Sequence, residues 1–400
     1  MNIRPFQNVS SKIKDMIGGQ AYETVYLVCL SLLIILFNAT CSTFDTASLP
    51  WLPGILSKSR YLLLAVMFIS IIMIEGSYSV KELIIIASAG FLILLSARNC
   101  GDKNILFSLI VIVSSRNISV KKAARVYFFT YLAIIVLIIG LFAAGALDDF
   151  TMERGADLVR HSLGFNHPNL LGRFIMVEII AFMLAYPEKN NSLIFYAASF
   201  LLAIFVYIVP NSRAAALCII ALIFFSLAMN RMGSGKALYR IAAYCSVPLF
   251  SLVSIVSTIV YTQESNVFFL IDEFSSGRIH AAHEIYLRSG WGGLFGKNVY
   301  GLNIPLDNIY AKLFLAYGIA ATVIFLCMYI LAIHRGVKCS RTDIVVCLMV
   351  FALYGVFEIH MVYVLYNLPL ICICADIVLR DSENSKAASY GQDLHRKVSP

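Results

Sequence analysis

Asn104-Ile105-Leu106-Phe107-Ser108-Leu109-Ile110-Val111-Ile112-Val113 is an apolar run without charge, its polar side chains being Asn104 and Ser108. Counted as a membrane span, it turns the chain over; left out, it inverts every segment that follows. The composition makes this a membrane question. Of 400 residues, 60% are hydrophobic and 14% charged, and the mean hydropathy is +0.82, whereas about a quarter of a soluble domain is charged. Apolar runs recur near the roughly 20-residue length that crosses a bilayer as a helix, without the alternation of lipid-facing strands. An all-α polytopic membrane protein is predicted, not a barrel.

Working outward from Asn104–Val113, about twelve spans are expected at the length a bilayer requires. Before it lie Tyr22–Phe37, Arg60–Ile74 and Glu82–Ala97; after it come Val126–Ala146, Leu170–Tyr186, Leu193–Val209, Ala214–Met229 and Ile241–Val260. Past a long polar interval follow Ile309–Ile333, Ile344–Phe357 and Val362–Leu379. Charge decides the status of the short run. If it spans and the N-terminus is cytoplasmic, most of the 31 Lys and Arg fall inside, among them Arg116, Lys121, Lys122, Arg125, Arg231, Lys236, Arg240, Arg335, Lys338 and Arg341. Both termini are then cytoplasmic, with 381–400 a polar tail, and 1–400 is a single membrane domain. Arg4, Lys12 and Lys14 precede the first run as in a signal peptide, but its full span length and missing cleavage site predict a retained helix. The joints 147–169 and 261–307 and the turn Pro210-Asn211-Ser212-Arg213 share the outer face.

The net charge of +8 is spread over these joints, not gathered into the basic, aromatic-interleaved patch of a nucleic-acid binder, so no nucleic acid is expected. The ten cysteines lie mostly in apolar runs. They read as small hydrophobes, not as a disulfide or metal framework.

The polar interval carries Ser275-Ser276-Gly277-Arg278-Ile279-His280-Ala281-Ala282-His283-Glu284-Ile285-Tyr286. Ser275 or Ser276 can cap a short helix through Arg288, with Ile279, Ala282, Ile285 and Tyr286 as its apolar face. Arg278 in the first turn opposes the helix dipole unless an anion is shared with the free N–H groups, which suits a phosphate. The alternative is an ion pair with Asp272 or Glu273. His280, His283 and Glu284 have helical spacing, but their order fits neither His-Glu-x-x-His nor His-x-x-Glu-His, so no metal is expected. A general base, a sugar contact or a solvated face stays open.

Arg213 is a second cation at a helix start; the alternative is contact with lipid phosphate. Arg160-His161-Ser162-Leu163-Gly164-Phe165-Asn166-His167-Pro168-Asn169-Leu170-Leu171-Gly172-Arg173 leads into the sixth span. Pro168 suits its first turn, Asn166 or His167 can cap it, and Gly172 permits close packing. Arg160, His161, His167 and Arg173 can gather anionic or sugar groups, although His167 reads best as part of the helix start. Asp307 with Asn308, and Glu358 with His360, stand at outer mouths, where a carboxylate beside cations can activate a hydroxyl. The alternatives are a helix cap at Asp307 and a solvent-facing pair at Glu358 and His360. Glu178 is the acid clearly inside a span, a scarcity that argues against proton-coupled transport.

In chain order, Arg160-x-x-Leu163-Gly164-Phe165-x-His167-Pro168-Asn169, Asn211-Ser212-Arg213, Gly277-Arg278, Leu294-Phe295-Gly296, Leu306-Asp307-Asn308-x-Tyr310 and Tyr317-Gly318-Ile319 resemble the motif series of Wzy-type polysaccharide polymerases. The likeness covers Arg160 to His360. It implies a GT-C-like fold related to O-antigen ligases, in the bacterial cytoplasmic membrane, with short helices in the extracytoplasmic loop 261–307. The implied reaction polymerises undecaprenyl-diphosphate-linked oligosaccharide repeat units into O-antigen, capsule or exopolysaccharide at the outer face, with no metal or other cofactor. Implied partners are the lipid-linked donor and acceptor, the bilayer, a chain-length regulator and a flippase. Under this resemblance Arg213 and Arg278 bind the diphosphate, and Asp307 precedes His283 and His280 as catalytic base. Arg160, His161, His167, Asn169, Glu358 and His360 then contact glycan or other parts of the substrate. Ligases carry a His-Asn/Ser-x-x-Leu-like mouth where this chain has Asp307-Asn308-Ile309-Tyr310, which favours a polymerase. The rivals are an O-antigen ligase and a lipid-linked oligosaccharide flippase, whose cations should line a cavity within the bilayer.

Overall fold

The computed structural model describes residues 4–44, 49–72, 78–154, 158–262 and 264–377; the expected tail 381–400 and the end of the span Arg60–Ile74 lie outside them. The described helices are α1 (Arg4–Asn38), α2 (Leu52–Ile72), α3 (Val80–Cys100), α4 (Asn104–Val113), α5 (Val120–Ala143), α6 (Pro168–Ala185) and α7 (Leu193–Ile208). They continue with α8 (Arg213–Met232), α9 (Ala237–Val260), α10 (Asn266–Ser275), α11 (Arg278–Ser289), α12 (Ile309–Lys312), α13 (Gly318–Lys338) and α14 (Thr342–Tyr354). Strands β1 (Met152–Arg154) and β2 (Leu158–Arg160) pair antiparallel in the joint after α5. Among the described residues, eight helical stretches are long and apolar enough to cross a membrane, with α12 and α13 joined as Ile309–Lys338. The protein is therefore an all-α polytopic membrane protein. Three other expected spans, α4, α7 and α14, have 10, 16 and 13 residues.

Short as it is, α4 reverses the chain. Val113 at its end accepts a 2.7 Å hydrogen bond from Tyr78, just ahead of α3, and a Cβ on Gly90 in mid-α3 would sit 3.6 Å from Leu109. At about 1.5 Å per residue such a helix covers half a bilayer. The turn 114–119 completes the return, and Ser119 then caps α5 through the Lys122 N–H. Onward, the helices alternate in direction. Lys122 meets Glu23 at 2.6 Å, Lys121 meets Glu188 at 3.4 Å, Asn230 bonds Asn191 at 2.7 Å and Tyr244 bonds His334 at 2.9 Å, all at one end of the bundle. The joints after α5, α7, α9 and α14 gather at the other.

The expected twelfth helix, Val362–Leu379, is absent over its described part. From Gly355 to Ile377 the chain descends through the protein interior in 3-10 turns, Ile359–Val362 and Leu368–Ile373. Its composition is as apolar as a span's, but Pro369 removes a helical N–H and clashes with the preceding turn. Side chains replace the missing helical bonds. Leu365 O accepts from Tyr127 and Tyr131 at 2.7 and 2.6 Å, Val362 O from Ser108 at 2.7 Å, Ile371 O from Ser115 at 3.1 Å and Ile377 O from Arg341 at 2.9 Å. Irregular backbone at membrane depth persists where protein supplies such partners.

A π-helical turn, Leu313–Tyr317, separates α12 from α13. Its carbonyls reach the loop after α11: Gly292 N–H bonds Phe314 O at 3.0 Å and Lys297 N–H bonds Ala316 O at 2.8 Å. Glycine is required where they touch, because a Cβ on Gly318 would lie 2.3 Å from Gly296 N. Two motifs far apart in sequence, Leu294-Phe295-Gly296 and Tyr317-Gly318-Ile319, thus meet.

Candidate anion-binding site at the helix mouths

Where the joints gather, α6 sets the first coordinates. His167 Nδ1 accepts the Asn169 N–H at 3.0 Å, and Pro168 occupies the first turn, where no N–H is needed. One turn on, Gly172 lets α8 close in: a Cβ there would be 2.4 Å from Ser212 Cβ. Asn169 and Arg213 therefore stand at adjoining helix starts. Asn169 Oδ1 accepts from Arg160, and its Nδ2 donates to Glu358 at 3.3 Å. Arg160 is buried, its Nε donating to Pro210 O at 3.0 Å.

The start of α11 departs from expectation. Neither Ser275 nor Ser276 caps it. The chain reverses through Ser276 and Gly277, at φ 62° and 79°, and swings the Asp272 carboxylate over the new helix, where it accepts the Ile279 and His280 N–H groups at 2.9 and 3.1 Å. With Asp272 so engaged, Arg278 pairs instead with Glu358 at 3.1 Å, and its Nε lies 3.8 Å from Asp307. Asp307 is not a helix cap either; Asn308 serves there, accepting the Tyr310 and Ala311 N–H groups at 2.9 and 3.1 Å.

Arg154, Asn169, Arg213, Ser276 and Arg278, with Phe274 and Phe357, line a small open cleft. Arg154 donates to the Asn211 side chain at 2.9 Å. Arg213 is exposed, and its side chain has no ion pair or hydrogen bond among the described residues. Burial and the charges of Arg154, Arg278 and Arg213 push Arg160 down to about 10; burial, Arg213 and Arg278 lower Arg154 as well. Burial and neighbouring positive charge thus act together on Arg160 and Arg154.

Two carboxylates face this cluster and differ in environment. Glu358 is 8% exposed. Burial would raise its carboxyl, but His360, Arg278 and Arg173 hold it below the usual range. Asp307 keeps 47% of its side chain accessible. Burial and the neighbouring Glu358 charge nevertheless raise its carboxyl, against Arg278 and Lys312. His360 is no solvent-facing partner: its ring meets the buried Arg173 guanidinium, which stacks 4.4 Å over Tyr366. Burial and the Arg173 charge lower His360 to about 4, so the imidazole is neutral at pH 7.

The structure thus assembles Arg160, Asn169, Arg213, Arg278, Asp307, Glu358 and His360 at one end. The other histidines stand apart from the cleft lining. His161 pairs with Asp149 at 2.6 Å, and His167 shapes the start of α6. His280 and His283 pack on Tyr261 with centroids at 5.6 and 5.4 Å, and His283 Nδ1 bonds Thr258 O at 2.8 Å. Glu284 pairs with Arg288. Sequence reasoning passed over Arg154, although it lies in the joint between α5 and α6, already rich in cations. It also passed over the buried pair of Lys312 and Asp102, 2.7 Å apart, which a lysine inside an apolar run could have signalled. No family model, no curated protein and no solved structure matches this chain.

Proposed function

We propose that the protein is a Wzy-type polymerase, joining undecaprenyl-diphosphate-linked oligosaccharide units at the outer face of a bacterial cytoplasmic membrane. One observation carries the reading: Arg154, Arg213 and Arg278 line a single cleft at the helix mouths, with Arg160 behind Asn169 and Asp307 3.8 Å from Arg278. A diphosphate is an anion that such a cluster can bind. In the reaction an acceptor sugar hydroxyl attacks the anomeric carbon of the donor chain. The new C–O bond forms as the bond to the diphosphate breaks, and lipid diphosphate leaves with the electron pair. Arg213 and Arg278 stabilise that developing charge, and the hydroxyl proton passes to Asp307. Glu358, held as a carboxylate in the Arg278–Asn169–His360 frame, positions Arg278 and does not compete as base.

The test is incubation of the purified protein with a fluorescent undecaprenyl-diphosphate repeat unit, with and without EDTA, beside Arg213→Ala and Arg278→Ala. A glycan ladder that persists in EDTA and disappears in both variants supports the reading. Lipid movement between vesicle leaflets with no ladder from folded protein replaces it with a flippase.

A further inference from the structure

The ten-residue helix α10 leaves one face uncovered. Val267, Leu270, Ile271 and Phe274 follow the i, i+3, i+4, i+7 spacing of a single stripe and are 66, 64, 48 and 54% exposed. The opposite face is turned to protein: Asp272 and Ser275 are buried, and Phe268 lies 5.6 Å from Tyr261. Asn266 and Glu273, both exposed, border the stripe, and Phe269, 58% exposed, adds an aromatic ring beside them.

Position says what covers the stripe. Only the joint 261–265 separates α10 from α9, a membrane span whose last turns expose Leu252, Val253, Val256, Ile259 and Val260. The bare apolar surface of α9 therefore ends within five residues of α10, which puts α10 at the bilayer edge. The helix is also fastened to the site. Asp272 caps α11, which carries Arg278, and Phe274 meets Phe357 edge-on at 6.2 Å where both line the arginine cleft.

We propose that α10 lies in the bilayer interface with this stripe among the acyl chains, and that Phe274 and Phe357 form the membrane-side wall of the cleft. The phosphate reaching the arginines is then borne by a membrane lipid and arrives from the bilayer plane. This last clause rests on the lipid-diphosphate reading above; the placement of α10 does not.

The test uses the full chain in nanodiscs with Trp51→Phe and Trp291→Phe, so that one introduced tryptophan reports. Leu270→Trp is expected to emit to the blue and to lose most of its intensity in lipids brominated near the glycerol end of the acyl chain. Glu273→Trp is expected to respond chiefly to aqueous iodide. Iodide quenching of Leu270→Trp without bromolipid quenching overturns the placement, as does insensitivity to both, which would mean a protein partner. Should Leu270→Trp fail to fold, Val267→Trp reports the same face. In a second arm, Phe274→Trp is titrated with undecaprenyl phosphate in the nanodisc and with inorganic phosphate in buffer. A response to the lipid alone is expected; a response to inorganic phosphate, or to neither, overturns access from the membrane. Neither arm measures glycan transfer, so failure of the polymerase reading is distinguishable from failure of this one.

Discussion

Each nitrogen of the Arg278 guanidinium faces a different group: Nη1 donates to Ser275 O at 2.6 Å, Nη2 to Glu358 at 3.1 Å, and Nε faces Asp307 at 3.8 Å. Arg278→Ala is expected to reduce polymer formation by about 10²-fold or more, the scale of losing one transition-state donor. It should also lower stability by about 3–5 kcal/mol, because Glu358 would stay buried without that cation. Arg278→Lys keeps the charge but loses the fork, so a melt restored without restored rate would separate binding chemistry from folding. Asp307 has a raised carboxyl and, as the proposed base, works deprotonated. The rate should therefore fall as pH drops through a value above the ordinary aspartate pKa near about 4. Asp307→Asn should remove that acid limb with most of the activity; an unchanged pH profile in the variant would assign the base elsewhere. Helix-start arginines are legible because caps and prolines mark helix starts. Arg154 was not, since its partner Asn211 depends on how β1 and β2 fold back.

At the level of elements, the approach of α6 to α8 is set by Gly172, and with it the spacing of Asn169 from Arg213. Gly172→Ala places a Cβ 2.4 Å from Ser212 Cβ, so the helices must part. Overpacking of this kind costs about 1–3 kcal/mol. A lower melting temperature in detergent and a raised KM for the lipid-linked donor are expected together; an unshifted melt would show that the contact yields freely. The α6 start was readable from Pro168 and Gly172, and of the two caps the sequence offers, Asn166 and His167, the structure uses His167. The start of α11 was readable but its cap was not, because that cap is a carboxylate from α10 brought over by two left-handed residues. Nor could hydropathy separate α14 from the irregular chain behind it. Both are apolar, and the partners that hold the second, Tyr127 and Tyr131, come from α5.

For the whole molecule, orientation turns on the ten-residue α4. Alkaline phosphatase, active only outside the cytoplasm, is expected to be active when fused after Asp148 or Ser265 and inactive after Gly235. The reverse pattern would invert the bundle and place the arginine cleft inside. Sequence by itself determined the membrane class, most helix positions and the end at which the polar joints collect, because span length, hydropathy and charge bias are local or additive along the chain. Tertiary structure alone decided that Glu358, not Asp272, meets Arg278, that the histidines of α11 lie against Tyr261 outside the cleft, and that the last apolar segment descends without α-helix. Each of these depends on which groups from distant helices meet at close range, and a buried charge or an unpaired carbonyl takes the partner that packing brings within reach.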